Sequence, residues 1–228
     1  MKRIAIIPAR SGSKGLPDKN IKVFNGMPLM AWSIKAARDS GMFDEIMVST
    51  DSEQYKDIAI KYGANVPFLR SSDKASDTAS SWDTVKEVLN NYNEQLGLIY
   101  DDFCLLQPTS PLRTAEDIKK AYNVFEEKKA DSVVSVCELE HSIKSINKIP
   151  QSGSLDGFYD SRENARRQDA DKYYRLNGAI YIQKVKSLFD GCNLYGEKSY
   201  SFIMSKGHSL DIDDEYDFIM AEAVARAK

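Results

Sequence analysis

A chain of 228 residues, 42% hydrophobic and 29% charged, has the balance of one globular domain or one domain with an appendage. A formal net charge of −3 argues against a nucleic-acid binder working through phosphate contacts. Three cysteines with no C-x-x-C pair argue against a zinc or disulfide framework, and no apolar run reaches membrane-spanning length, so a cytoplasmic protein is expected.

In chain order, the apolar run Ile4 to Ile7 predicts a buried strand over 3–8. It opens into a loop holding Ser11, Gly12, Ser13, Gly15 and Pro17, with cations at Arg10, Lys14, Lys19 and Lys22. A helix follows over 28–40, with Pro28 in its first turn and Gly41 ending it. Strands are expected at 45–49, 102–106 and 132–137, and helices at 53–62, 80–95 and 114–127, the last started by Thr114. Residues 138–176 are polar, with a dense charge group from Arg162 to Lys172. So long a stretch without regular periodicity is uncommon in a compact domain, and it reads as a projecting arm that packs on a second subunit. A returning strand at 178–183, a short strand at 201–204 and a helix over 214–227 close the chain. Alternating β and α elements imply a mainly parallel sheet covered on both faces, with ligands at the carboxyl ends of the strands.

Three loops follow strands on the ligand side, after Pro8, after Leu106 and at Ser49-Thr50-Asp51, and two further segments, 75–81 and 209–214, carry candidate chemistry. The loop after Pro8 suits polyphosphate, because glycines let backbone N–H groups approach an anion that the cations neutralise. It matches neither G-x-x-x-x-G-K-[ST] nor G-x-G-x-x-G. In Leu105-Leu-Gln-Pro-Thr-Ser-Pro-Leu-Arg, two prolines stiffen a turn that leaves Gln107 at the strand end, where its amide can read a ligand. Arg113 either supports that loop or binds an anion. Ala75 to Ser81 offers hydroxyls that read a base edge or cap a helix. In Ser209-Leu-Asp-Ile-Asp-Asp, an extended 210–213 would put Asp211 and Asp213 on one face and Ile212 on the other. Two carboxylates there suit Mg²⁺, unless Asp213 or Asp214 serves only to cap the last helix. Arg70, Arg162, Arg166, Arg167 and Arg175 are either a solvated face or a carboxylate receiver. Neither a His pair nor a nucleophile triad is readable.

The ordered set IAIIPARSGSKGLPDKN, VSTDSE, ASDTASS, LLQPTSPLR, RLNGAIYI and SLDIDDEYD resembles the N-acylneuraminate cytidylyltransferases, or CMP-sialic acid synthetases, along nearly the whole chain. The resemblance implies an α/β, nucleotidyltransferase-type Rossmann-like fold: a mainly parallel sheet with helices on both faces and a projecting dimerisation arm. The core would be 1–137 and 177–228, and the arm 138–176 would contribute to the sugar site of a homodimer. It implies CTP and a nine-carbon 2-keto sugar acid as substrates, N-acetylneuraminate first, with a CMP-sugar and pyrophosphate as products and Mg²⁺ or Mn²⁺ as cofactor. Arg10, Ser13, Lys14, Lys19 and Asn20 would hold the CTP phosphates and ribose, and Arg70 and Ser81 the cytosine or its surroundings. Gln107, Tyr181, Lys144 and Arg167 would touch the sugar, and Asp211 and Asp213 the metal. Arg10, Lys14 and Asp211 would carry the chemistry; the general base is not readable from the sequence, and a carboxylate or metal-bound hydroxide near Asp211 is the candidate. Members that use the N-acetyl sugar often show His-His-Pro after the acid that opens the arm and two adjacent phenylalanines near Leu194-Tyr195; this chain has Glu140-His-Ser-Ile and no such pair. Legionaminic acid, pseudaminic acid and the eight-carbon Kdo are therefore alternative substrates. A non-catalytic nucleotide- or sugar-binding protein and a glycosyltransferase are the readings from other classes.

Overall fold

In a computed structural model, which describes residues 1–13, 15–70, 80–140, 143, 146–158 and 171–227, one six-stranded sheet organises the chain. Its strands are β1 (Arg3–Pro8), β4 (Glu45–Ser49), β5 (Asp102–Leu105), β6 (Ser132–Glu138), β7 (Tyr174–Lys184) and β8 (Ser199–Met204), in the order β4-β1-β5-β7-β6-β8. A two-residue hairpin, β2 (Val23–Phe24) and β3 (Met27–Pro28), stands apart. The pairs β1–β4, β1–β5 and β6–β8 are parallel. Strand β7 runs antiparallel to both of its neighbours, so the sheet is mainly parallel with one reversed strand.

The helices are α1 (Leu29–Ser40), α2 (Glu53–Lys61), α3 (Ser81–Leu96), α4 (Ala115–Glu127), α5 (Val185–Phe189) and α6 (Glu215–Arg226). They lie on both faces, and β1 shows why. Successive strand side chains point to opposite sides. Ala5 and Ile7 join Met30, Ile34, Tyr55, Ile118 and Tyr122 of α1, α2 and α4. Ile4 and Ile6 join Val85, Val88, Leu89 and Tyr92 of α3 and Leu188 of α5. A third apolar cluster ties Leu16 and Phe24 to Leu112, Ile212 and Phe218, so the loop after β1 is moored to the segment leading into α6. Among the described residues, no helix is long and apolar enough to cross a membrane.

Helix starts follow local chemistry. Ser80, Thr114 and Asp214 each accept from the backbone N–H three residues on, and Asp83, Asp117 and Asp217 reach back to complete capping boxes. Gly41 ends α1 in the left-handed conformation. Pro28, expected inside the first turn of α1, instead precedes that helix and pairs with Val23. Strand β7 begins at Tyr174, earlier than the expected 178, because it extends alongside β6 as far as the Glu138–Tyr174 pair.

Candidate active site

The carboxyl ends of β1 and β5 meet at one cleft of about 410 Å³, within the range of small-molecule sites. The loop after β1 is one wall, and named side chains hold it. The Ser11 N–H donates to Asp51 Oδ1 at 2.9 Å and its hydroxyl to Oδ2 at 3.0 Å. Asn20 donates through Nδ2 to the Arg10 carbonyl at 3.0 Å. The Tyr55 hydroxyl donates to Asp18 at 3.2 Å, at a residue with φ of 50°. Lys19 Nζ donates to the Ile212 carbonyl at 2.6 Å and lies 3.5 Å from Asp213 Oδ1. Gly15 sits so near the acid segment that a Cβ built on it would come within 2.6 Å of the Asp213 carbonyl oxygen. From this wall Arg10, Ser13, Lys19 and Asn20 reach the cleft.

Arg70 and Ser81 line the opposite side, with Thr84 one turn further along α3. Arg70 is almost wholly buried, and both Nε and Nη2 donate to the Ser49 hydroxyl at 3.2 Å. Burial lowers its pKa; Glu87 and Asp51 oppose that shift, and the charge of Arg10 adds to it. Two guanidiniums that feel each other across a cleft suit an anionic ligand. Gln107 completes this side, donating through Nε2 to Ser81 Oγ at 3.1 Å, and Pro108 and Thr109 continue the rim.

Asp213 stands at the rim, 81% exposed in its side chain, while Ile212 is fully buried in the third cluster. Asp211 lies deeper. Burial raises its pKa and the charge of Asp213 raises it further, against the Thr109 side chain, Lys19 and Arg175. Its Oδ1 is buried and has no hydrogen-bond partner. An orphaned carboxylate oxygen beside a second carboxylate is a donor set that fits a hard divalent cation. Among the described residues no group of three or more His, Cys, Asp and Glu is arranged for a metal, so remaining ligands would have to come from substrate and water. The cap of α6 is Asp214, which leaves Asp213 without that duty.

Tyr181 does not line the cleft; it packs edge-on to Trp82, with ring centroids 5.6 Å apart, and burial together with Tyr195 and Asp211 raises its hydroxyl pKa. Arg113, open between two roles in the sequence, is buried and donates to the carbonyls of Gln107 in its own loop and Ala179 in β7. Lys14, Lys144 and Arg167, together with residues 75–79, lie outside the described residues. Sequence reasoning did not single out Thr84 or Thr109 as site residues, and it marked Asp51 only as part of the Ser49-Thr50-Asp51 loop. Each sits in or one turn beyond a motif it did quote, and only the through-space arrangement gives them their place.

The family model described as cytidylyltransferase matches residues 4–201. An N-acylneuraminate cytidylyltransferase of Streptococcus agalactiae is 39% identical over 96% of this chain and 52% of its own length. The CMP-N,N'-diacetyllegionaminic acid synthase of Legionella pneumophila is 38% identical over 97% of this chain and 95% of its own. A pseudaminic acid cytidylyltransferase of Campylobacter jejuni is 35% identical, with 97% and 95% covered. The chain thus spans about half the length of the N-acylneuraminate relatives and nearly all of the other two. Among solved structures, a CMP:2-keto-3-deoxy-manno-octonic acid synthetase complexed with CTP superposes with a TM-score of 0.73 at 15% identity, covering 100% of this chain and 99% of that one, which is a likeness of fold.

Proposed function

This chain belongs to the cytidylyltransferase family, and from that premise we propose that it transfers CMP from CTP to a nine-carbon 2-keto sugar acid and releases pyrophosphate. The observation that carries the proposal is the convergence of Arg10, Ser13, Lys19 and Asn20 with Arg70, Ser81 and Gln107 on one cleft, with Asp213 at its rim. N-acetylneuraminate is the first choice of acceptor. Legionaminate and pseudaminate are a supported second reading, because the relatives that use them match this chain almost as well. The acceptor's chemistry is common to all: an anomeric hydroxyl beside a carboxylate.

The hydroxyl attacks the α-phosphorus in line and pyrophosphate leaves, so the protein's work is positioning and neutralising charge. Arg10 and Lys19, with Lys14 by resemblance, hold the triphosphate and balance the charge that grows on the departing oxygens. Arg70 and Ser81 orient the base side, and Gln107 fixes the strand-end wall. Asp211 and Asp213 would hold Mg²⁺ or Mn²⁺, which supplies further neutralisation of phosphate charge when bound. The reaction is cytoplasmic in this proposal. A homodimer through residues 138–176 completes the sugar site with Lys144 and Arg167; Ile146, Ile149 and Leu155, all exposed, support an arm that covers a second copy.

Pyrophosphate release measured with CTP, Mg²⁺ and a panel of 2-keto sugar acids tests the proposal. Turnover of at least one nonulosonate, with little turnover of UTP, is expected. No release with any member of the panel would overturn the reaction; release with a related nonulosonate but not with N-acetylneuraminate would replace the first choice of sugar.

A further inference from the structure

Arg113 is only 3% exposed, and none of its hydrogen bonds runs to a carboxylate. Nη1 donates to the carbonyls of Gln107 at 3.2 Å and Ala179 at 2.8 Å, and Nη2 donates to the Ser33 hydroxyl at 2.5 Å. Nε is buried without a hydrogen-bond partner. A buried guanidinium lacking a bonded anion is expensive, and an apolar side chain of similar size would fill the space more favourably. The geometry of its acceptors gives the reason for keeping it. They sit on the turn after β5, the middle of β7 and the buried side of α1, and a planar fork reaches such fixed directions where an ammonium does not.

What the fork holds is the start of the cleft's strand-end wall. From Gln107 the bonds run on to Ser81 through Nε2, and the Thr109 carbonyl accepts the Ile212 N–H at 2.9 Å. We propose that Arg113 is a positioning residue: it locks the Gln107–Thr109 turn so that the Ser81 wall and the segment carrying Asp211 and Asp213 keep one spacing. The consequence for ligand binding rests on the reading of the cleft as a CTP site; the locking of the turn does not.

Arg113→Lys keeps the charge and loses the fork, and Ser33→Ala, at a residue outside the cleft, removes one acceptor of the fork together with the hydroxyl's own 3.3 Å bond to the Gln107 carbonyl. Both are made in a Trp32→Phe background, which leaves Trp82, next to Ser81, as the sole indole reporter. Thermal melts establish that each variant is folded at the assay temperature. Arg113→Lys should then shift Trp82 emission without any nucleotide and raise the CTP dissociation constant, read by calorimetry, about tenfold or more. Ser33→Ala should move both readouts in the same direction by less; if Arg113→Lys does not fold, Arg113→Gln, which keeps a planar amide donor, carries the test, because Ser33→Ala also loses a direct bond to Gln107. In a double-mutant cycle, the effect of Arg113→Lys on CTP affinity should shrink when Ser81→Ala has already broken the bond from Gln107. A lowered melting temperature with unchanged Trp82 emission and unchanged CTP affinity would show a merely structural brace and overturn the proposal. Failure of the unsubstituted protein to bind CTP would instead overturn the functional reading, and the emission shift would still decide the role of Arg113.

Discussion

Gly15→Ala isolates the contact that closes the loop on the acid segment. Its Cβ would stand 2.6 Å from the Asp213 carbonyl oxygen, where ordinary contact begins at 3.4 Å, so one side must retreat by about 0.8 Å. Both partners belong to irregular segments that can shift, which puts the stability cost at the low end of overpacking, about 1 kcal/mol. Function is less forgiving, since a displacement near 1 Å can cost up to about 100-fold in rate. Gly12→Ala is the steric control: nothing lies within 4 Å of its Cβ position, and neither glycine has the positive φ that would strain an alanine. The assay is pyrophosphate release with CTP, Mg²⁺ and a nonulosonate, beside a thermal melt of each variant. Turnover should fall about 10- to 100-fold in Gly15→Ala, with a melting shift of only a few degrees, and clearly less in Gly12→Ala. Equal losses in the two variants would refute the steric argument.

Asp213→Asn and Asp214→Ala should separate the two adjacent acids. The first should weaken the rate response to Mg²⁺ with little change in melting, and the second should cost about 1 kcal/mol of stability as a lost helix cap, with the Mg²⁺ titration unchanged. Arg10→Ala should lower turnover by the equivalent of about 2–4 kcal/mol while the melting temperature stays near that of the unsubstituted chain; near-normal turnover would remove the loop from the phosphate site. The Asp102 carboxyl is raised by burial, against the Tyr122 hydroxyl and Arg3, so its favourable contribution is complete below the unfolded carboxylate range and is lost as pH rises through the folded value. Urea unfolding should therefore show the stability of the native chain, relative to Asp102→Asn, falling as pH rises above the unfolded carboxylate value of about 4; a rising difference would mean that Arg3 dominates.

Much of the fold was legible because its signals are local. The bounds of β1 and β4 follow apolar runs that end at loops, and Ser80, Thr114 and Asp214 mark the starts of α3, α4 and α6 with hydroxyls or acids. The first residues of β7 were hidden: Tyr174, Arg175 and Leu176 are all exposed and lie among charges, so no apolar alternation announces the strand. The hairpin at Asn25-Gly26 has strands too short to show a period. In the site, residues at strand ends were readable from their motifs. The approach of Gly15 to Asp213 and the bond from Lys19 to the Ile212 carbonyl were not, because they join segments nearly 200 residues apart. Arg113 stayed ambiguous for a related reason, since a charge in a loop says nothing of its burial until Ser33 and Ala179 are brought to it.

The reversed strand β7 also sets the order in which the molecule can be completed during synthesis. Strand β6 touches the β4-β1-β5 half of the sheet only through β7, which lies between β5 and β6. Until residues 174–184 leave the ribosome, β5 presents an unpaired edge and β6, made earlier, has no neighbouring strand to join. Its other partner, β8, emerges later still. Closure thus depends on the late arrival of one strand threaded between two early ones, a non-local topology of the kind that folds slowly and leaves a sticky edge exposed meanwhile. A nascent chain stalled between β6 and β7 would carry the β4-β1-β5 strands and a lone β6, with nothing to join them.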